Sequence, residues 1–188
     1  VLDGSGYGRV LPRLLDLERP SVLPERMACF THIKDNITDP DYDRQKILIS
    51  TPTRLRDVWL WLIPFADGVA SLGVVGEPAR LEALGDNPEA MLRAAVADVP
   101  LLARFLQNAD WNIGMPVRSL RNYSANVSTL YGDHFALLGN ASEFLDPVFS
   151  SGVTVAVVSS QLAAAALDRQ LRGEAVDWQR DYAKRLAV

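Results

Sequence analysis

Two stretches of this 188-residue chain hold residues whose types and spacing could do chemistry. The more specific is Phe135-Ala-Leu-Leu-Gly-Asn-Ala-Ser-Glu-Phe-Leu-Asp-Pro-Val-Phe-Ser-Ser-Gly-Val153. It reads as a short buried strand ending at Gly139, a polar turn, a tight loop at Asp146-Pro147, and a helix opening on Ser150-Ser151-Gly152. A helix start presents unpaired backbone N–H groups at the positive end of its dipole. Glycine there lets a ligand approach the backbone closely. Such a place suits an anion or an electron-rich ring edge. The plainer alternative is a serine cap on a core helix.

The second stretch is Trp59-Leu60-Trp61-Leu62-Ile63-Pro64. At strand spacing Trp59, Trp61 and Ile63 share one face, which could wall a substrate channel or fill a core. A third, weaker signal is Asp3-Gly4-Ser5-Gly6, followed by Leu11 and Arg13. It is not a dinucleotide fingerprint, because no βαβ unit surrounds it.

The elements that must position these residues follow from hydrophobic period and turn chemistry. Strands are predicted at Met27–Ile33, Lys46–Thr51, Asp57–Phe65 and Val69–Val75, with an Asp67-Gly68 hairpin, as an antiparallel meander. Helices are predicted at Pro78–Leu84, from an Asn87 cap with Pro88 and Glu89 to about Val99, and at Leu101–Gln107. Val117–Val127 reads as one long strand and Phe135–Leu138 as a short one. Helices then run from Ser150 to about Leu171 and from Asp177 to Leu186. Strands and helices come in blocks, so the fold class is α/β or α+β.

Composition limits the rest. Lys+Arg 19 against Asp+Glu 23 gives a net charge of -4, with no basic excess for nucleic acid or an anionic bilayer. One cysteine excludes an intrachain disulfide framework, and two histidines leave little for a soft-metal site. No apolar run is long enough for a spanning helix. With no signal-peptide core, the expectation is a cytoplasmic protein without nucleic-acid or membrane partners. Asp39, Asp41 and Asp43 alternate like a calcium loop, but Arg44 and Ser50 stand where glycine and glutamate are required. Cys29 and His32 fall on opposite strand faces. His134 reads as a turn residue. Arg54/Arg56 and Arg118/Arg121 read as surface charge, the alternative being the lining of an anionic cofactor groove.

Gly139-Asn140-Ala141, Phe144-Leu145-Asp146-Pro147 and Phe149-Ser150-Ser151-Gly152-Val153 resemble the FAD-binding motif of flavin-dependent halogenases and their relatives on the para-hydroxybenzoate hydroxylase fold. Trp59–Pro64 resembles the Trp-x-Trp-x-Ile-Pro motif of the same enzymes. Asp3-Gly4-Ser5-Gly6 resembles their Asp-x-Ser-Gly segment near FAD. The resemblance runs from Asp3 to about Gly173. It implies an antiparallel substrate-side sheet plus helices, in an incomplete FAD/NAD(P)-binding fold that lacks its N-terminal Rossmann unit. It also implies FAD contacts from Asp3, Gly4, Gly6, Gly139, Asn140, Asp146, Pro147, Ser150, Ser151, Gly152 and Val153. Halide would sit near the amides of Ser151 and Gly152, and a channel wall would comprise Trp59, Trp61, Ile63 and Pro64. Where the family has an acid, this chain has Asn140.

The expected regions are 1–26 as the end of an FAD-binding region, 27–127 as the substrate-side sheet with a helical insert, and 128–188 as a return to the FAD-binding region. The chain opens like the end of a strand, which predicts a fragment or processed chain that is inactive alone. The catalytic lysine of halogenases is expected upstream of Val1, and no catalytic residue is identified here. The implied activity is that of an FAD-dependent oxidoreductase in which reduced FAD and O2 oxidise halide to halogenate a small organic substrate. A separate flavin reductase is the implied partner. The alternatives are a same-fold flavin monooxygenase or reductase, and a flavin-free scaffold or interaction module.

Overall fold

The computed structural model describes residues 1–144 and 150–186. In chain order the first elements are β1 (Leu2–Asp3), α1 (Val10–Leu14), β2 (Glu18–Arg19), β3 (Met27–Lys34), β4 (Leu48–Ser50), β5 (Trp59–Pro64) and β6 (Val69–Gly76). Helices α2 (Pro78–Glu82), α3 (Pro88–Ala97) and α4 (Pro100–Phe105) follow. The rest is β7 (Arg118–Arg121), β8 (Asn126–Val127), β9 (Tyr131–Gly132), β10 (Phe135–Leu137), α5 (Gly152–Leu171) and α6 (Lys184–Leu186). The chain divides into two compact units, Glu25–Tyr123 and Val1–Pro24 with Ser124–Val188. The sequence placed these divisions at 26/27 and 127/128.

In the unit Glu25–Tyr123, five antiparallel strands lie in the order β4-β5-β6-β3-β7. All four predicted strands form, but not as a simple meander. The polar connection 35–47 carries the chain from β3 to the far edge, so β3 pairs with β6 and β7. Alternation sorts the two faces. Cys29, Ile33, Leu60, Leu62, Leu72 and Val74 are buried on one of them. They pack in a single core with Leu81, Met91, Leu92, Ala95, Val96 and Leu102, residues of α2, α3 and α4. The Asn87 cap behaves as its sequence predicts: its Oδ1 accepts the Ala90 amide at 2.9 Å, with Pro88 and Glu89 in the first turn.

Val117–Val127 is not one strand. β7 ends at Arg121. Asn122 then takes a left-handed φ of 48°, a conformation asparagine tolerates but a continuing ladder does not. Asn126–Val127 pairs instead with Glu18–Arg19.

In the other unit, β1 runs parallel to β10, and β10 pairs antiparallel with β9. Ala136, Ala163 and Tyr182 pack together in its core. The Tyr182 hydroxyl donates to the Leu137 carbonyl. The predicted last helix forms as a π-helical segment, Gln179–Ala183, continued by α6.

Candidate functional site

The Val1–Pro24/Ser124–Val188 unit brings three predicted segments together. Strand β10 delivers the chain into a 3-10 turn at Gly139–Ala141. Gly139 has a φ of +52°, and a β-carbon on it would lie 3.0 Å from that of Ala156. Only glycine permits both this backbone and so close an approach to α5. The buried Ser159 hydroxyl locks the contact, accepting the Gly139 amide at 2.9 Å and donating to Ala156 O at 3.1 Å.

Asn140 follows, half-buried. Its Oδ1 is 3.8 Å from where a β-carbon on Gly152 would sit. The predicted Asn140 and Gly152 are therefore neighbours. Ser150 is exposed with a left-handed φ of 52° and lies outside the helix. Ser151 occupies the N-cap position, but its side chain makes no capping bond. The first intrahelical bond runs from Val155 N to Ser151 O at 2.9 Å. The amides of Gly152, Val153 and Thr154 point out of the helix end without a capping side chain among the described residues. Val153 and Val157 are exposed beside them. Asp146 and Pro147 lie outside the described residues.

Asp3 is buried and serves the loop itself. Its carboxylate accepts the Ser5 and Leu11 amides, each at 2.8 Å. Burial opposes its ionisation, but bonds from the Ser5 hydroxyl and those two amides outweigh burial and hold the carboxyl below its ordinary value. Gly4 and Gly6 open onto empty space, and Gly6 has a φ of +58°.

Sequence reasoning missed Tyr7 and Arg9 here and quoted Phe144 only within the motif, without a role of its own. The Tyr7 and Phe144 rings lie 5.3 Å apart, and the Phe144 ring reaches to 4.0 Å of the same β-carbon position on Gly152. Arg9 is buried with a left-handed φ of 45°. Its guanidinium donates to Glu18 Oε1 (3.0 Å), Asn126 O (3.0 Å) and Asn140 O (3.4 Å). Nothing in its sequence neighbourhood signals that role.

The Glu25–Tyr123 unit holds the predicted channel residues. Trp59, Trp61 and Ile63 share the sheet face opposite the core and are half-buried, as is Pro64 at the strand end. Trp61 pairs with Gly73, and a β-carbon there would meet its ring at 2.2 Å. The indole therefore lies flat across β6, and its Nε1 donates to Ser71 Oγ at 3.0 Å. Trp59 and Phe30 flank it, with ring centroids 5.6 and 6.4 Å away. His32 packs edge-on to Phe65 at 5.2 Å on the same face. Cys29 is on the core side, where burial pushes its thiol up to about 11 against a weaker pull from Arg121. It is no nucleophile. Phe30 and His32 were findable, since their alternation in β3 puts them on this face once β3 pairs with β6. The aspartates at 39, 41 and 43 serve as turn caps and as partners of Arg104 and Lys46. No group of three or more metal-ligating side chains occurs among the described residues. Nor does any helix among them reach the length and apolarity needed to cross a membrane.

No family model matches the chain. It is 31% identical over 169 residues to the flavin-dependent halogenase gsfI of Penicillium aethiopicum, covering 85% of this chain and 31% of that protein. It is 33% identical over 129 residues to the sulochrin halogenase gedL of Aspergillus terreus, covering 62% and 22%. Among solved structures, a flavoprotein/dehydrogenase from Cytophaga hutchinsonii matches with a TM-score of 0.87 and 37% identity, over 98% of this chain and 44% of that one. The myxobacterial chondrochloren halogenase CndH, an FAD-dependent halogenase, matches with a TM-score of 0.78 and 28% identity, over 97% and 42%. The chain thus spans less than half the length of each protein it matches here.

Proposed function

We propose, on the premise that this chain corresponds in sequence and fold to part of the halogenase-like flavoproteins, that it supplies one side of an FAD site and an aromatic sheet face for a small organic substrate. The observation that carries this reading is the Asn140–Gly152 junction. An uncapped helix start, a glycine without steric cover, an amide side chain and exposed Val153 meet there. These residues fit a flavin. The outward amide of Val153 donates to its carbonyl edge, Asn140 bonds a hydroxyl of its sugar-like chain, and the Val153 side chain offers apolar contact. FAD, when bound, supplies the redox chemistry with O2. Arg9 holds the turn that carries Asn140 through its carbonyl, and Asp3 holds the glycine-rich loop Gly4–Gly8 through the Ser5 and Leu11 amides. Halide would be held at the amides of Ser151 and Gly152, a short oriented donor set suited to an anion. Trp59, Trp61 and Ile63 exclude water and orient an aromatic ring. A separate flavin reductase would deliver reduced FAD.

FAD titration followed by flavin fluorescence, run on a longer polypeptide that includes this sequence, tests this. A β-carbon on Gly152 has ordinary contacts within the protein, so the Gly152→Val side chain starts without a clash, and circular dichroism checks that the variant is folded before it is titrated. We expect saturable binding by the natural sequence and at least about tenfold weaker binding by Gly152→Val, a loss of about 1.4 kcal/mol. Equal binding by both, or none in either oxidation state, overturns the reading. The 37% identity to a flavoprotein/dehydrogenase favours a second reading, an FAD oxidoreductase that does not halogenate. Halide-dependent product formation by a longer polypeptide that includes this sequence separates the two.

A further inference from the structure

The aromatic sheet face carries a charge pattern that neither the fold nor the flavin site requires. Pairing register puts Trp61, Gly73, Phe30 and Arg118 in one row across β5, β6, β3 and β7. His32 and Lys34 follow Phe30 on the same face of β3. The described residues of that face within the five strands include no aspartate or glutamate, and Asp110, bridged opposite Lys34, stands at the end of β3 away from the Phe30–Arg118 row. Arg118 is exposed on an edge strand. No ion pair or hydrogen bond engages its guanidinium among the described residues. Its strand neighbour Arg121, on the other face, is paired with Glu82.

We propose that Arg118 is a specificity-determining residue that selects ligands of this face bearing an anionic group beside an aromatic ring. The proposal rests on the flavoprotein reading only for calling that ligand the substrate. Trp61 lies over Gly73 and Phe30 follows at 6.4 Å with its ring plane tilted by 33°, so the two rings form one continuous aromatic plate with a shallow bend. Arg118 stands directly opposite Phe30, where cross-strand β-carbons are about 4.5–5.5 Å apart. An aromatic ring on the plate places a carboxylate about one strand spacing away, about 4.8 Å, beside a guanidinium fork built for planar oxyanions. Lys34 carries the same charge on the same face but lies four residues along β3, about 13 Å away. The anion is therefore read by contact with Arg118 and not by the general field of the face.

The test is flavin-free, so it stands or fails independently of FAD binding. Affinities of the natural chain for 2-naphthoate, neutral 2-naphthamide and 2-naphthyl phosphate are measured by ligand-observed NMR at low salt. We expect naphthoate to bind about five- to tenfold tighter than naphthamide. Arg118→Ala abolishes that preference, Arg118→Lys keeps part of it, and Lys34→Ala changes it less than about twofold. The naphthoate-to-phosphate ratio shows which oxyanion the site prefers, and either preference supports an anion reader. A preference unchanged in Arg118→Ala, one lost equally in Lys34→Ala, or no binding of any of the three compounds overturns the proposal.

Discussion

In the unit Val1–Pro24/Ser124–Val188 the candidate ligand surface is shaped by side chains that are missing. In Glu25–Tyr123 it is shaped by side chains that are large. Gly152 leaves backbone open to a ligand, and Gly139 lets a turn press against α5. Trp59, Trp61 and Phe30 build an aromatic plate of tilted rings in which the seat of Trp61 depends on a single glycine, Gly73. The first surface offers oriented N–H donors and the second offers π faces. An anionic or carbonyl-edged cofactor suits one and an aromatic ligand the other. Each glycine sits where the chemistry of its own surface needs it, so equal substitutions should fail differently.

The largest expected effect is Gly139→Ala. A left-handed backbone and contact with the main chain of α5 combine to a loss of about 2–4 kcal/mol. Gly73→Ala meets only an indole that can swing outward, at a cost of about 1–3 kcal/mol. Urea unfolding ranks the two, and tryptophan emission separates them. Gly73→Ala shifts the Trp61 spectrum, whereas Gly139→Ala leaves emission unchanged in the folded state. If both variants lose the same stability and neither moves the spectrum, the contrast between the surfaces is wrong.

Next comes Asp3→Asn. The amide leaves one of two buried donors poorly satisfied, costing about 1–3 kcal/mol at neutral pH. Because the folded carboxyl is held below its ordinary value, the stability it contributes is complete above about pH 4 and is lost as pH falls through the folded value. The natural chain should therefore weaken in acid where Asp3→Asn does not. In the other unit, Asp98 is held low by the Arg54 guanidinium and amide, with an exposed Arg54 side chain. Salt should reduce the effect of Asp98→Asn while leaving that of Asp3→Asn in place. Denaturation midpoints at two pH values and two ionic strengths decide it.

The sequence showed most of the sheet because its signals are local. β-branched and aromatic alternation marked β3, β5 and β6, and Asp67-Gly68 marked the hairpin. Strand order was hidden because the connection 35–47 gives no sign of where it goes. The break at Asn122 was hidden because asparagine takes a left-handed conformation only where tertiary pairing demands it. Site residues with motif spacing, such as Asn140 and Gly152, were readable and fall together. Arg9 was not, since its value lies in three oxygens from Glu18, Asn126 and Asn140. Arg118 looked like ordinary surface charge until register placed it opposite Phe30.

The smallest expected effect bears on the helix starts of the two units. In α3 the Asn87 side chain already caps the helix and Glu89 already supplies negative charge. In α5 no side chain among the described residues does either, and Asn140 Oδ1 is close to Gly152. Asn140→Asp introduces a carboxylate at the positive end of that dipole and should stabilise by about 0.3–1 kcal/mol at low salt. Asn87→Asp should gain less, because asparagine and aspartate are near-equal caps. A carboxylate near a helix start ionises below its ordinary value. The Asn140→Asp gain is then full above about pH 4 and disappears on acidification. The same carboxylate is a stronger acceptor for a hydroxyl, so FAD should bind several-fold tighter. Gains of equal size at both positions would remove the distinction between a satisfied helix start and one left open for a ligand. A tighter FAD complex without a stability gain would put the Asn140 carboxylate on the flavin and away from the helix.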